Sequence, residues 1–183
     1  MNDPVIKKKF LDPAICAEYV DFLKSTTMWE SCVDMTWNHR FINLASMHDE
    51  LREQILSIRV SIKNVIFAEF KKDQLFCDIF QFVRWREGDV LLPHADAQNP
   101  DGSYHPYHYR EYASLLYLND DYEGGDIYFP KENFFPQVQP GDLVLFPGTL
   151  DYLHGVTKVT MGTRYTIAGF YTSDRTHHDN FRI

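Results

Sequence analysis

Phe76-Cys77-Asp78-Ile79-Phe80-Gln81-Phe82-Val83-Arg84-Trp85-Arg86, broken by the turn Glu87-Gly88 and resumed as Asp89-Val90-Leu91-Leu92-Pro93-His94, is where the chain changes character. Aromatic and β-branched residues dominate the first run, as suits a pleated and half-buried surface, and a Gly-containing turn separates it from the shorter apolar second run. The same grammar continues downstream. Residues 112–118, 126–129, 134–138, 143–146, 152–156 and 163–172 read as further strands. Asn119-Asp120-Asp121, Pro130-Lys131-Glu132-Asn133, Pro140-Gly141 and Met161-Gly162 mark the turns between them. Eight short strands in roughly a hundred residues suit a double-sheet jelly roll.

Upstream the period lengthens. Asp12-Pro13 reads as an N-cap with proline at the first helical position, followed by Ile15, Tyr19, Phe22 and Leu23 at helical spacing. A second helix is expected from about residue 46 to about residue 71, with Leu51, Ile55, Ile58, Ile62, Val65 and Ile66 on one face. Residues 29–44 between them read as an irregular or extended connection. The expectation is one domain over 1–183: a helical scaffold at 1–74, a jelly-roll core at 75–172 and a tail at 173–183. The fold class is mainly β with flanking α, the N-terminal helices buttressing one sheet.

The 183 residues, 44% of them hydrophobic and 15% aromatic, supply ample material for one core. A net charge of −8 leaves no large basic footprint for phosphates, and Lys7-Lys8-Lys9 reads as a solvated face. Three cysteines, Cys16, Cys32 and Cys77, are an odd number without CxxC spacing, which argues against a disulfide framework or a thiolate zinc site. The start, MNDPVIKKKF, lacks a signal peptide's apolar stretch, and no run approaches membrane-spanning length. A soluble protein of the cytoplasm is the expectation.

Chemistry enters with His94-Ala95-Asp96. Residues i and i+2 of an extended strand project from the same face, so an imidazole and a carboxylate can meet one ion. His154 lies in a β-reading segment after Pro147-Gly148 and can supply a second imidazole. Two histidines and one carboxylate leave three positions open on an octahedral ion, the arrangement of non-haem Fe(II) oxygenases. An HxD alone is a weak signal. It gains weight from Arg164, ten residues after His154 in the last apolar strand. A guanidinium is costly to bury unless it meets an anion, which is either an internal carboxylate or a dicarboxylate ligand gripped bidentately.

Five blocks in order carry a resemblance: QFVRWREGD (81–89) with HAD (94–96), LLYLNDDYEGGD (115–126), PGDLVLFP (140–147), HGV (154–156) and GTRY (162–165). Together they resemble the prolyl 4-hydroxylase-like 2-oxoglutarate/Fe(II) oxygenases over about residues 80–172. The resemblance implies iron held by His94, Asp96 and His154, and 2-oxoglutarate anchored through its C5 carboxylate by Arg164 with a hydrogen bond from Tyr117. It also implies O2 as co-reactant and allows ascorbate as an accessory reductant. Trp85 stands where the family usually has a tyrosine near the cosubstrate's C1 carboxylate, so a contact with 2-oxoglutarate and a plain core role both stay open. Because the carboxylate Asp96 is present where related halogenases have a small residue, hydroxylation is favoured.

The substrate class implied first is a prolyl residue in a peptide or protein. A free amino acid or other small metabolite is the alternative, and a non-enzymatic jelly-roll binding module is the reading outside enzymology. Phe170 stands where the nucleobase demethylase branch carries a second arginine, so no nucleic-acid partner is expected, and no membrane. The stretch 97–110 (AQNPDGSYHPYHYR), with Tyr104, His105, Tyr107, His108 and Tyr109, is expected to form a lid or substrate wall, its histidines not being ligands.

Overall fold

A computed structural model describes residues 4–181. The first three residues of the N-terminal segment and the last two of the 173–183 tail lie outside the described residues.

Helix α1 (Pro13–Ser25) starts as its sequence dictates: Asp12 caps it by accepting from the Ala14 N–H at 2.8 Å, with Pro13 in the first turn. Its buried stripe is Cys16, Tyr19, Val20 and Leu23, so the face is turned slightly from the one expected, and Ile15 is 39% exposed. Helix α2 (Asp49–Phe70) begins about three residues later than expected, capped by His48 and ended by Lys71 in the left-handed region. It buries Leu51, Ile55, Ile58, Ile62 and Ile66. Arg59 is buried among them and reaches Asp179 at 2.6 Å, which straps the chain's end to the helix.

Among the described residues, nine strands form two antiparallel sheets. The larger has the order β1 (Val5–Lys7), β7 (Leu143–Pro147), β5 (Tyr112–Tyr117), β9 (Thr163–Thr172), β3 (Phe76–Arg86), β2 (Phe41–Asn43). The smaller has the order β4 (Leu91–His94), β8 (His154–Val156), β6 (Ile127–Tyr128). This is the expected double-stranded β-helix. Strands β3 and β9 run as read and pair along almost their whole length, with one bulge between Cys77 and Ile79. The strand expected at 134–138 does not form: Phe134 makes one bridge to Phe129, and Pro136 has no N–H with which to extend a ladder. Strand β8 starts at His154, because Leu150–Tyr152 is a short 3-10 turn.

The two edge strands of the larger sheet come from the N-terminal third. The lysine run helps seat β1: Lys7 pairs with Glu69, Lys8 with Asp142 at 2.7 Å, and the Lys9 N–H donates to the same carboxylate at 2.9 Å. Among the described residues, no helix is long and apolar enough to cross a membrane.

Period-2 alternation gives the larger sheet two unlike faces. Phe80, Phe82, Leu116, Leu143, Leu145, Tyr165, Ile167 and Tyr171 join Leu23, Ile55 and Ile62 of the helices in the main core. The opposite face, with the smaller sheet across from it, encloses a cavity of about 490 Å³.

Candidate metal and cosubstrate site

His94 on β4 and His154 on β8 are paired across the smaller sheet, their ring centroids 4.5 Å apart. Asp96 follows two residues beyond His94. Its Oδ1 lies 3.6 Å from the His94 Nε2 and 3.8 Å from the His154 Nε2. The potential ligand atoms of the three residues all fall within 4.8 Å of one another, and among the described residues no fourth His, Cys, Asp or Glu joins the group.

Each imidazole is oriented by the same device. Nδ1 of His94 lies 3.1 Å from the Leu92 carbonyl, and Nδ1 of His154 lies 3.0 Å from the Tyr152 carbonyl. A carbonyl can only accept, so both Nδ1 atoms carry the proton and both Nε2 lone pairs face Asp96. Burial pushes the Asp96 carboxyl up, but His154, His94 and Arg110 outweigh it and hold it below the usual range. Burial also drives His154 down, toward the neutral form that a ligand requires. Asp96 Oδ2 is buried without a partner. A carboxylate and two imidazole lone pairs converging on one point, with no fourth protein donor, fit a divalent iron that keeps positions open.

Arg164 fits the second half of the expectation. It is 1% exposed on β9 and lines the same cavity. Its Nη1 donates to the Gly125 carbonyl at 2.7 Å, and among the described residues Nε has no partner and no acidic residue forms an ion pair with it. Tyr117 packs against it, the guanidinium carbon 5.0 Å from the ring centroid, and the Tyr117 hydroxyl is also buried without a partner. Thr166, two residues along β9 and on the same face, leaves its buried hydroxyl unpaired as well. Buried groups of this kind are nearly always satisfied. The Arg164 guanidinium and these two hydroxyls fit as a cradle for a carboxylate, and His94, Asp96 and His154 line the same cavity.

The glycines at 124 and 125 make that cradle possible. Gly125 has φ 66°, and a Cβ there would stand 3.0 Å from Val159 and 3.5 Å from the Arg164 side chain whose head its carbonyl holds. At Gly124, with φ 67°, a Cβ would lie 2.1 Å from the Lys158 carbonyl oxygen. Neither position accepts a side chain.

Trp85 lies opposite Arg164 in the β3–β9 register and forms part of the cavity wall. Trp37 packs edge-on against it at 5.7 Å, and the Arg40 guanidinium sits 4.8 Å from its ring centroid. In the 97–110 stretch, His105 and Tyr107 line the cavity, while Tyr109 stacks on His177 at 3.5 Å. Neither His105 nor His108 joins the three-residue group.

Sequence reading missed four contributors. Thr166 carried a signal, its i+2 spacing from Arg164. Arg110, held between the Tyr107 and Phe170 rings and paired with Asp78 at 2.7 Å, carried none, because its partner is 32 residues away. Trp37 and Asn43 line the cavity from the connection between the helices, where no periodicity marks them.

Comparison with known proteins agrees with this geometry. The family model described as the 2OG-Fe(II) oxygenase superfamily, where 2OG is 2-oxoglutarate, matches residues 80–172. Prolyl 3-hydroxylase 3 of Homo sapiens is 41% identical over 78 residues, which are 40% of this chain and 11% of that protein. The chain therefore spans only about a tenth of the length of such curated relatives. Among solved structures, the 2OG complex of the viral collagen prolyl hydroxylase of Paramecium Bursaria Chlorella virus-1 superposes with a TM-score of 0.73 at 15% identity, covering 95% of this chain and 97% of that one. A Trichoplax adhaerens prolyl hydroxylase, in complex with a hypoxia inducible factor oxygen degradation domain peptide fragment, gives 0.70 at 17% identity, covering 97% and 86%. With the family model matched over half of its length, the chain belongs to the 2OG-Fe(II) oxygenase superfamily.

Proposed function

We propose that this protein is an Fe(II)- and 2-oxoglutarate-dependent dioxygenase that hydroxylates a prolyl residue of a peptide or protein, releasing succinate and CO2. The observation that carries the reading is Arg164: a guanidinium 1% exposed, without an acidic partner, on the wall of the cavity that also holds His94, Asp96 and His154. In this proposal His94, Asp96 and His154 hold the iron. Arg164 and Tyr117 grip the distal carboxylate of the cosubstrate by charge-assisted hydrogen bonds, and Trp85 walls the chamber beside them. When bound, the iron and cosubstrate together supply the oxidising power for C–H cleavage.

The chain's own residues bind, orient and exclude water. The Leu92 and Tyr152 carbonyls keep both imidazoles in the tautomer that presents Nε2. Val83, Leu115, Ile127, Val156 and Ala168 make the chamber apolar, which keeps water from competing for the open positions. The prolyl class is supported by the named relatives, a human prolyl 3-hydroxylase and prolyl hydroxylases of matching fold.

The test is succinate formation from 2-oxoglutarate with added Fe(II), in the presence of proline-rich peptides or free proline, with mass spectrometry for a gain of about 16 Da, one oxygen atom. Activity is expected with the peptides, and it is expected to disappear in His94→Ala and Asp96→Ala. A folded wild-type protein that binds neither iron nor 2-oxoglutarate overturns the enzymatic reading. A mass gain on free proline alone overturns the peptide assignment.

A further inference from the structure

The wall of the cavity formed by β2 and β3 carries two carboxamides. Asn43 and Gln81 are register partners across these strands, and both line the chamber. Gln81 is 8% exposed, and its side chain has no hydrogen-bond partner among the described residues. It sits in an otherwise apolar row of β3, with Ile79, Val83 and Trp85 along the same wall. Its amide atoms open onto the chamber rather than being sealed in the core, and a carboxamide placed on an apolar wall is expected to be paired once the chamber is filled.

Asn43 is aimed by a third residue. Glu30 accepts from the Asn43 backbone N–H at 2.7 Å and from the Asn43 Nδ2 at 3.1 Å, and it is further fixed by the Ser46 hydroxyl at 2.7 Å. A carboxylate can only accept, so the NH2 end of Asn43 faces Glu30 and the carbonyl oxygen Oδ1 is left as a free acceptor. Gln81 offers both a donor and an acceptor. Side by side on one wall, the two present one N–H donor flanked by carbonyl acceptors.

We propose that Asn43 and Gln81 form a substrate-reading pair that hydrogen-bonds a peptide-type amide of the substrate next to the residue being oxidised. A peptide bond supplies the complement, one N–H and one C=O, and is neutral. The ammonium and carboxylate of a free amino acid carry full charges that two neutral carboxamides cannot balance in an apolar chamber. Of the two arginines that line the chamber, Arg110 is already paired with Asp78 at 2.7 Å, and Arg164 is the one assigned above to the cosubstrate. The inference rests on the peptide reading above and sharpens it: selectivity for peptide over free amino acid resides in these two side chains.

The experiment measures binding and turnover separately. A proline-containing tetrapeptide blocked at both ends is titrated into the protein loaded with Mn(II) and 2-oxoglutarate, and succinate formation is followed with Fe(II). Gln81→Met keeps the volume and removes the amide. It is expected to weaken peptide binding and raise the peptide KM by about tenfold, leaving the KM for 2-oxoglutarate within about twofold of wild type. Glu30→Gln, outside the chamber, releases the aim of Asn43 and is expected to raise the peptide KM by roughly threefold. Gln81→Asn, which restores an amide one methylene shorter, is expected to lie between wild type and Gln81→Met. Equal peptide affinity in wild type and in both the Gln81→Met and Glu30→Gln proteins overturns the proposal and leaves the hydroxylase reading intact. Binding without hydroxylation upholds the amide pair and overturns prolyl hydroxylation. A blocked peptide that does not bind wild-type protein overturns both.

Discussion

The two faces of strand β9 do opposite work. Toward the helices it presents Tyr165, Ile167 and Tyr171, packed into the main core with Phe82 and Leu116. Toward the cavity the intervening residues are Arg164, Thr166, Ala168 and Phe170, and two of these four leave a buried polar atom unpaired. The residues alternate along one backbone only a few ångströms apart, so their environments differ by side rather than by depth. On the helix side the free energy comes from apolar area removed from water, and the one unpaired polar atom that β9 places there, the Tyr171 hydroxyl, belongs to a residue of the main core and not of the cavity wall. On the cavity side the unmet hydrogen-bonding capacity belongs to residues that line the chamber, where the proposed cosubstrate would meet it. The strand thereby separates stability from chemistry with a period of two residues.

That separation gives sharp expectations. Arg164→Met should have the largest effect on function. With the guanidinium gone, a buried carboxylate loses its counter-charge, about 4 kcal/mol or roughly a thousandfold in the KM for 2-oxoglutarate. The melting temperature should hold or rise, since a buried cation without an acidic partner is replaced by an apolar chain of similar length. A melting temperature that collapses instead makes Arg164 a structural residue and breaks the division of labour. Ile167→Ala, three residues on and fully buried on the other face, should do the reverse. It should cost about 3 kcal/mol in urea unfolding, with the KM for 2-oxoglutarate unchanged in the folded fraction.

The sequence made some of this legible, and physical reasons explain which parts. Strands β3 and β9 are long enough for alternation to show, and both run between the residues expected. Strands β1 and β2 are three residues each, too short for a period, and β1 pairs with β7, more than a hundred residues away. Of the candidate site residues, His94 and Asp96 announce themselves by i+2 spacing, and Arg164 by its misfit in an apolar strand. His154 becomes meaningful only through the β4–β8 pairing, which no local pattern encodes. Asn43 and Trp37 are invisible for a stronger reason: Asn43 ends the three-residue β2, Trp37 lies in the loop before it, and both acquire their places on the cavity wall with the docking of β2 on β3. Thr166 has only its i+2 spacing from Arg164 to mark it, since threonine in a strand is what β-propensity expects.

Tyr117 and Thr166 test how finely the cavity face is tuned. Tyr117→Phe removes one buried hydroxyl beside the guanidinium and keeps the ring that packs on it, so a loss of about 1.5 kcal/mol, roughly tenfold in the KM for 2-oxoglutarate, is expected with stability unchanged or improved. Thr166→Val is the smallest change, near-isosteric and stripped only of an unpaired oxygen. If that hydroxyl meets the cosubstrate, the KM rises about threefold and the ligand-free protein melts slightly higher, because a desolvated hydroxyl has been replaced by a methyl. If it meets nothing, the melting temperature rises by the same amount and the KM stays put. The ligand-free melt thus reports the burial of the group and the KM reports its use, and only a movement in both places Thr166 with Arg164 on the working face.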